Sequence, residues 1–383
     1  MSDSNPRVVV IYNRDFEGAE ADPENKARED IKDIAEHVVA ILDEKGYAAS
    51  GLGITDDVPA AVSALRELHP HVVFNLCESI GGDNRFEPLL PLLLEREGIA
   101  YTGSPPLALA LALHKNKAKE ILRARGIPTP EAAVLTAVPA PGDQMPPFPV
   151  IVKPSREDAS VGICSASVVS TPEALASRVG YVLSHYRQPV LVERFIEGRE
   201  IYVSMLGRPT GEPEVFPFYE IDFSAMPADR PRIVSFEGKW VETSPEYHGT
   251  LPVRCEGLPP ELQARIAATA LATFAALELR DYGRVDIRLA ADGTPYVIDV
   301  NPNCDLSDIA GGFSKAAKAA GLGYDAVISR IVELALMRRP NADTIPLATR
   351  SRSARRNHRS GRAVSAGGSV VRDRAARRGA RSG

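Results

Sequence analysis

Residues 283–303, GRVDIRLAADGTPYVIDVNPN, bring together the side chains best suited to chemistry. Asp286, Asp299 and Asn301 stand in runs that alternate with apolar residues: Val285, Ile287 and Leu289 before the turn, Ile298 and Val300 after it. That period of two predicts a pair of strands, and Asp292-Gly293 predicts a two-residue turn, which needs positive φ at both centres. A turn centred there pairs Asp286 with Asp299 and Arg284 with Asn301, all on one face. Like charges directly opposite on a sheet are destabilising; two carboxylates roughly 4 Å apart repel by about 4 kcal/mol at an effective dielectric of about 20. A divalent cation between them turns the repulsion into attraction, and an all-oxygen set completed by Asn301 suits Mg²⁺ rather than zinc. The competing reading is a solvated strand face on which Arg284 and Arg288 neutralise the acids.

Other residues of chemical interest lie upstream. Lys153 ends an apolar strand and is followed by PSREDASVG, whose hydroxyls and free backbone N–H groups could cradle phosphate between two strands. The loop is not a Walker A loop, which requires Gly-Lys-Ser/Thr opening a helix. Glu193 closes the strand VLVE and Glu200 opens the next, so these acids could accept hydrogen bonds from an amino group and from sugar hydroxyls. Lys115 sits at the junction of two helical segments. Each of these, taken alone, could equally be a solvated charge.

The elements that must hold these residues follow from pattern. RVVVIY (Arg7–Tyr12) reads as a buried strand, 25–45 as a helix stopped by Gly46, 47–54 as a strand, 59–68 as a helix, HVVFNL (His71–Leu76) as a strand, 86–96 as a helix and 99–102 as a short strand. Strands alternating with helices predict a parallel α/β domain over residues 1–103. Helices are expected over 107–113, 116–124, 171–186, 261–277 and 325–336. Strands are expected at 150–153, 190–193, 200–206 and 215–223, and a Pro-rich loop at 137–149.

With 383 residues at 44% hydrophobic, the chain has ample core for two or three domains. No apolar run is long enough for a membrane span, and MSDSNPR has no apolar segment of the secretory kind. Cys77, Cys164, Cys255 and Cys304 are scattered, without zinc or disulfide spacing. A reduced, cytoplasmic protein is the expectation. The net charge of −5 conceals an asymmetry: residues 350–383 carry eleven Arg against one acid, Asp373. That stretch of Arg, Ser, Gly and Ala reads as a solvated, disordered tail over 340–383. No aromatic is interleaved in it, so nucleic acid is not an expected partner.

The order of these residues is more specific than any one of them. YTGS at Tyr101–Ser104, the helix-flanked Lys115, VIVKPSREDASVG, VERFIEGREIYVSML and GRVD…VIDVNPN together make the chain resemble the ATP-grasp superfamily, and within it the D-alanine–D-alanine ligase-like family, over about residues 70–338. The resemblance implies two α+β ATP-grasp subdomains after the N-terminal domain, over 104–196 and 197–339, with ATP between them. It implies that Lys115 and Lys153 hold ATP phosphates while the loop carrying Ser155 and Ser160 closes over them. Glu193 would take the adenine amino group with Phe195 and Ile196 near the base, and Glu200 the ribose. Lys239, in FEGKW, matches a further phosphate-contacting lysine. Asp286, Asp299 and Asn301 match ligands of Mg²⁺, or Mn²⁺ in its place, and Arg284 the arginine that steadies an oxyanion. The implied reaction is ATP-dependent formation of a peptide or amide bond through an acyl phosphate, with amino acids or small peptides as substrates; related ligases are commonly dimers.

The chain also departs from that pattern. Trp240 stands where those ligases usually carry tyrosine, Ala159 where the loop usually has the first of two serines, Asp299 for glutamate and Arg194 for lysine. NPNCDLS lacks the usual Pro-Gly segment. The acid for the first substrate's ammonium could be Asp15, Glu17 or Glu20, or else Glu78 or Glu87. The departures cluster at the substrate pocket more than at the ATP site, which leaves the substrates open. Trp240, Ala159 and Asp299 motivate one alternative, a nucleotide-binding module without catalysis. A dehydrogenase of the Rossmann type fits poorly, because no Gly-x-Gly-x-x-Gly follows the first strand.

Overall fold

The computed structural model describes residues 5–14, 23–309 and 311–338, with the backbone alone for 23–30. The expected Arg-rich tail, and Asp15, Glu17 and Glu20, lie outside the described residues.

The chain opens with β1 (Arg7–Asn13), α1 (Pro23–Glu44), β2 (Ala48–Ile54), α2 (Val58–Leu68), β3 (Val72–Asn75), α3 (Leu89–Glu97) and β4 (Ala100–Tyr101). These strands form the expected parallel sheet, in the order β2-β1-β3-β4. β1 is a continuous apolar run because both its faces are covered: Val8 and Val10 enter one core, Val9 and Ile11 another. The helix expected over 86–96 starts later, after a single 3₁₀ turn at Asn84–Phe86.

Next come α4 (Pro106–Leu113), α5 (Lys115–Ala124), β5 (Ala132–Leu135), β6 (Val150–Pro154), β7 (Val168–Val169), α6 (Pro172–Tyr186) and β8 (Val190–Arg194). β5, absent from the pattern-based expectation, forms the edge of an antiparallel sheet ordered β5-β8-β6-β7. Thr171 caps α6 by accepting from the Ala174 amide, 3.2 Å away.

The remaining elements are β9 (Arg199–Leu206), β10 (Glu214–Val215), β11 (Tyr219–Asp222), α7 (Phe236–Trp240), α8 (Pro245–His248), β12 (Leu251–Arg254), α9 (Pro260–Ala276), β13 (Tyr282–Leu289), β14 (Pro295–Asn301), α10 (Gly312–Ala319) and α11 (Tyr324–Met337). The single strand expected over 215–223 is in fact two, β10 and β11, parted by Phe216, Pro217 and Phe218; Pro217 has no N–H for a ladder. The third sheet runs β12-β11-β9-β13-β14, with β10 also on β9, all antiparallel. Its inner face packs Val203, Val285 and Ile287 on Ile266 and Phe274 of α9 and on Ala118 and Leu122 of α5. Ile328 and Ile331 of α11 join the core beneath β1.

Two local devices set where the site elements lie. Asp281, buried with φ +63°, accepts from the Gly103 amide at 2.9 Å and pairs with Arg338 at 2.5 Å, fastening the end of YTGS to the start of β13. Gly198 sits in the turn from β8 to β9 at φ +139°, where a Cβ would lie 1.9 Å from the Leu289 carbonyl oxygen. Only glycine fits that approach. Gly198→Ala should cost about 3 kcal/mol and lower the melting temperature by at least about 5 °C; a variant melting like the parent would show that this turn is not a fixed point of the fold.

Candidate active site

β13 divides its side chains as the alternation demands. Val285, Ile287 and Leu289 enter the core, while Arg284, Asp286 and Arg288 face the other way. On β9 their cross-strand partners are Ser204, Tyr202 and Glu200. Across β14, Arg284 pairs with Asn301 and Asp286 with Asp299, as expected. The turn differs. Hydrogen bonds from Gly293 to Ala290 and from Ala290 to Thr294 close a three-residue loop, Ala291-Asp292-Gly293, with Gly293 at φ +79°. Near the loop the register is therefore one residue off, with Arg288 opposite Tyr296, and a bulge between the Asp286 and Ile287 pairings restores it. A glycine in the left-handed region after a tight turn, and a bulge that increases twist, are the usual means of such compensation. One consequence corrects the alternation read from sequence: Val297, not Ile298, packs into the core beside Val300.

Every carboxylate on this face has a cation. Asp286 accepts from Arg284 Nε at 2.7 Å and Nη2 at 2.9 Å, and from Asn301 Nδ2 at 3.2 Å. The Arg284 guanidinium lies 4.5 Å from the centre of the Tyr202 ring. Asp299 accepts from Lys115 Nζ at 2.9 and 3.2 Å, and the same ammonium reaches Asp158 of the loop at 2.9 Å. Glu193 is 1% exposed and forms ion pairs with Lys119 at 2.5 Å and Lys153 at 2.6 Å. Glu200 pairs with Arg288 at 2.7 Å, and Arg288 lies between the Phe195 and Phe223 rings. Ile196 is buried.

These contacts set the protonation states. Burial alone would raise the Glu193 and Asp299 carboxyls, but the lysines outweigh it and hold both below the ordinary range. Burial brings Lys119 down to about 8 against the pull of Glu193. In Lys115, by contrast, Asp158 and Asp299 overcome burial and raise the pKa. Burial lifts the Glu200 carboxyl more than Arg288 lowers it.

The loop after Lys153 is docked by contacts invisible in the sequence pattern. Ala159 and Ser160 adopt positive φ (53° and 63°), Ser160 Oγ donates to the Val234 carbonyl at 3.0 Å, and Trp240 Nε1 donates to the Ala159 carbonyl at 3.0 Å. Ser155 is buried, and its amide donates to the Pro189 carbonyl. Lys239 stays exposed at the rim, 5.0 Å from the Trp240 ring. Opposite the loop, Asn303 Nδ2 donates to the Cys77 carbonyl at 3.2 Å and to Glu87 at 3.1 Å, which ties residues 77–87 to the end of the hairpin.

Thus Lys115, Lys153, Glu193, Glu200, Arg284, Asp286, Asp299 and Asn301 are linked by direct contacts or by strand register, with Lys239 at the edge. Lys119, Asp158 and Tyr202 also belong to this network and were not singled out from sequence; Arg288, read there as neutralising the hairpin's acids, pairs instead with Glu200. Lys119 carried a usable signal: it follows Lys115 by four residues, on the same helix face as the buried Ala118 and Leu122. No three His, Cys, Asp or Glu side chains converge as a metal cluster among the described residues. The oxygen donors of Asp286, Asp299 and Asn301 still fit a hard cation, provided a ligand's oxygens or water complete the set.

A model of the family described as D-ala D-ala ligase C-terminus matches residues 122–333. The uncharacterized protein y4sG of Sinorhizobium fredii is 34% identical over 309 residues, covering 79% of this chain and 87% of that protein. The D-alanine–D-alanine ligase of Geobacter sulfurreducens is 33% identical over 302 residues, covering 77% and 86%. The chain belongs to the D-alanine–D-alanine ligase family. A crystal structure of the D-alanine–D-alanine ligase of Bacillus anthracis complexed with ATP has the same fold, at TM-score 0.65 and 24% identity over 88% of this chain and 98% of that one. As a member of the D-alanine–D-alanine ligase family, the chain is an ATP-dependent ligase forming an amide or peptide bond, and the reading as a non-catalytic nucleotide-binding module is not favoured. Among the described residues no helix is long and apolar enough to cross a membrane.

The depressed Glu193 carboxyl has a checkable consequence. A carboxyl lowered in the folded state contributes stability above its unfolded pKa and loses it as pH falls through the folded one. In ¹³C NMR of the metal-free protein, the Glu193 side-chain carboxyl should titrate clearly below about 4.3, the ordinary glutamate value. A midpoint at or above that value would mean that the two lysines do not neutralise it.

Proposed function

We propose that the chain is a Mg²⁺-assisted, ATP-dependent carboxylate–amine ligase that joins amino acids, or an amino acid and a small peptide, through an acyl phosphate. One observation carries the reading: Lys115, Lys153 and Arg284 converge on Asp299, Glu193 and Asp286 within a single shell of buried and half-buried ion pairs. Such a shell suits a polyanionic substrate that exchanges partners with the resident carboxylates. Asp286, Asp299 and Asn301 would hold Mg²⁺, which supplies charge neutralisation at the transferring phosphoryl group when bound.

In this reading Lys115 and Lys153 bind ATP phosphates, Lys239 adds a contact from the rim, and the loop from Ser155 through Ser160 covers them. Glu193, with Phe195 and Ile196, takes the adenine, and Glu200 the ribose. A substrate carboxylate oxygen attacks the γ-phosphorus, the bond to the β-phosphate oxygen breaks and ADP leaves. The amine of the second substrate then attacks the acyl carbon, and Arg284 stabilises the oxyanion of the tetrahedral intermediate. The carbon–oxygen bond to phosphate breaks, phosphate departs, and the nitrogen loses a proton. Water must stay out, because it would hydrolyse the acyl phosphate; the Trp240–Ala159 contact supports a loop able to exclude it. Glu78 and Glu87 are the described candidates for the first substrate's ammonium. Relatives are named for D-alanine, but the differences at Arg194, Trp240 and residues 301–307 make a screen of D- and L-amino acids and dipeptides the proper route to the substrates.

In that screen ADP formation should require both a carboxylate and an amine substrate, and phosphate release that needs no second substrate would count against ligation. Asp286→Asn and Lys153→Ala should each lower turnover by about 100-fold or more while circular dichroism stays that of the parent. Either variant at full rate would sink the assignment.

A further inference from the structure

Two lysines compete for one buried carboxylate, and they are not equivalent. Glu193 is 1% exposed, with Lys119 on Oε1 at 2.5 Å and Lys153 on Oε2 at 2.6 Å. Lys119, 3% exposed, is fully engaged by the scaffold: its ammonium also reaches Thr129 Oγ1 at 3.1 Å and the carbonyls of Val297 and Ile298 at 3.5 Å. The ammonium is thus surrounded by protein oxygens, and α5 is fixed in place by Ala118 and Leu122 in the core. Lys153 is the penultimate residue of β6, just before the loop, and Glu193 is its one ionic partner among the described residues.

We propose that Lys119 is a positioning residue: as the permanent counter-ion of Glu193, it frees Lys153 to leave that carboxylate for the phosphates of ATP. The inference rests on the reading of Lys153 as a phosphate ligand. Its physical basis is the cost of a lone buried charge. Were Lys119 uncharged, any departure of Lys153 would strand the Glu193 carboxylate in a site closed to water, so Lys153 would be held back. With Lys119 present, the Glu193–Lys119 pair stays neutral and the second cation is released at little cost. Burial brings Lys119 down to about 8, while Glu193 pulls it up more strongly than the neighbouring Lys153 pushes it down. The charged groups around it are Glu193, Lys153 and Asp299 from the adjoining strands.

The test is steady-state kinetics of the full chain with Mg²⁺ and varied ATP, using substrates found in the screen above. Lys119→Met should raise the KM for ATP about tenfold or more while kcat at saturating ATP stays within about twofold, and Lys119→Arg should recover most of the loss. In the Glu193→Gln background no carboxylate remains to retain Lys153, so the double variant, Lys119→Met with Glu193→Gln, should have the same KM as Glu193→Gln alone. That comparison remains decisive if the single Lys119→Met variant does not fold. An unchanged KM in Lys119→Met, or an undiminished effect in the Glu193→Gln background, would overturn the inference and leave Lys119 a scaffold residue. Lys153→Ala separates the two readings: if it is inactive while Lys119→Met is normal, only this inference fails, whereas full activity in Lys153→Ala removes its foundation.

Discussion

A buried carboxylate cannot be left alone, and the centre of this protein contains three in close succession, Asp286, Glu193 and Glu200, with the half-buried Asp299 beside them. Asp286 and Asp299 face each other across β13 and β14, and Glu193 and Glu200 stand at the neighbouring strand ends. Each is met by a cation: Asp286 by Arg284 on its own strand, Glu200 by Arg288 of the hairpin, Asp299 by Lys115 of α5, and Glu193 by Lys119 of α5 and Lys153 of β6. Ion pairs of this kind are weak evidence for stability, because desolvation opposes their attraction. Retaining five of them makes better sense as readiness for an anion. Much of the surrounding architecture serves to bring these groups together: α5 packs on the hairpin's core face, and the Gly198 turn carries the chain from Glu193 to Glu200 so close to β13 that a Cβ would not fit.

On the proposed reading, ATP binding is an exchange of partners. The triphosphate takes over the lysines that now neutralise Asp299, Asp158 and Glu193; Asp299 is then free to help hold a cation with Asp286 and Asn301, and Glu193 keeps Lys119. Asp158 is notable because it brings the loop's own negative charge to Lys115, 2.9 Å from Nζ, where a phosphate oxygen would compete with it. The loop is held on its other side by Trp240 and Val234, so its position is coupled to α7 and to the residue beside Lys239.

How much of this was legible beforehand follows from the length scale of each signal. The hairpin was readable because alternation, a turn dipeptide and opposed charges all agree over about twenty residues, and the Asp286–Asp299 register emerged as expected. The three-residue loop and the compensating bulge were not readable: Asp292-Gly293 marks a turn, but its type depends on the twist of the paired strands. α7 and α8 span five and four residues, too short for any helical period, although Ser235 and Ser244 each cap one by accepting an amide. β5 is a four-residue edge whose identity comes from β8 beside it. Lys119 drew no reading of its own because a lysine is usually surface charge, although it follows Lys115 by four residues on the buried face of α5. Asp158 was hidden because its partner, Lys115, lies far away in the chain, and Arg288, read as a counter-ion of the hairpin, has its partner in the distant Glu200.

The central claim is that a substrate carboxylate is activated by phosphoryl transfer. With the carboxylate substrate labelled with ¹⁸O in both oxygens and the amine substrate present, mass spectrometry of the released phosphate tests it directly. The account predicts one ¹⁸O transferred into each phosphate formed, because the carbon–oxygen bond breaks after that oxygen has become attached to phosphorus. Unlabelled phosphate, formed at the same rate as product, would contradict it.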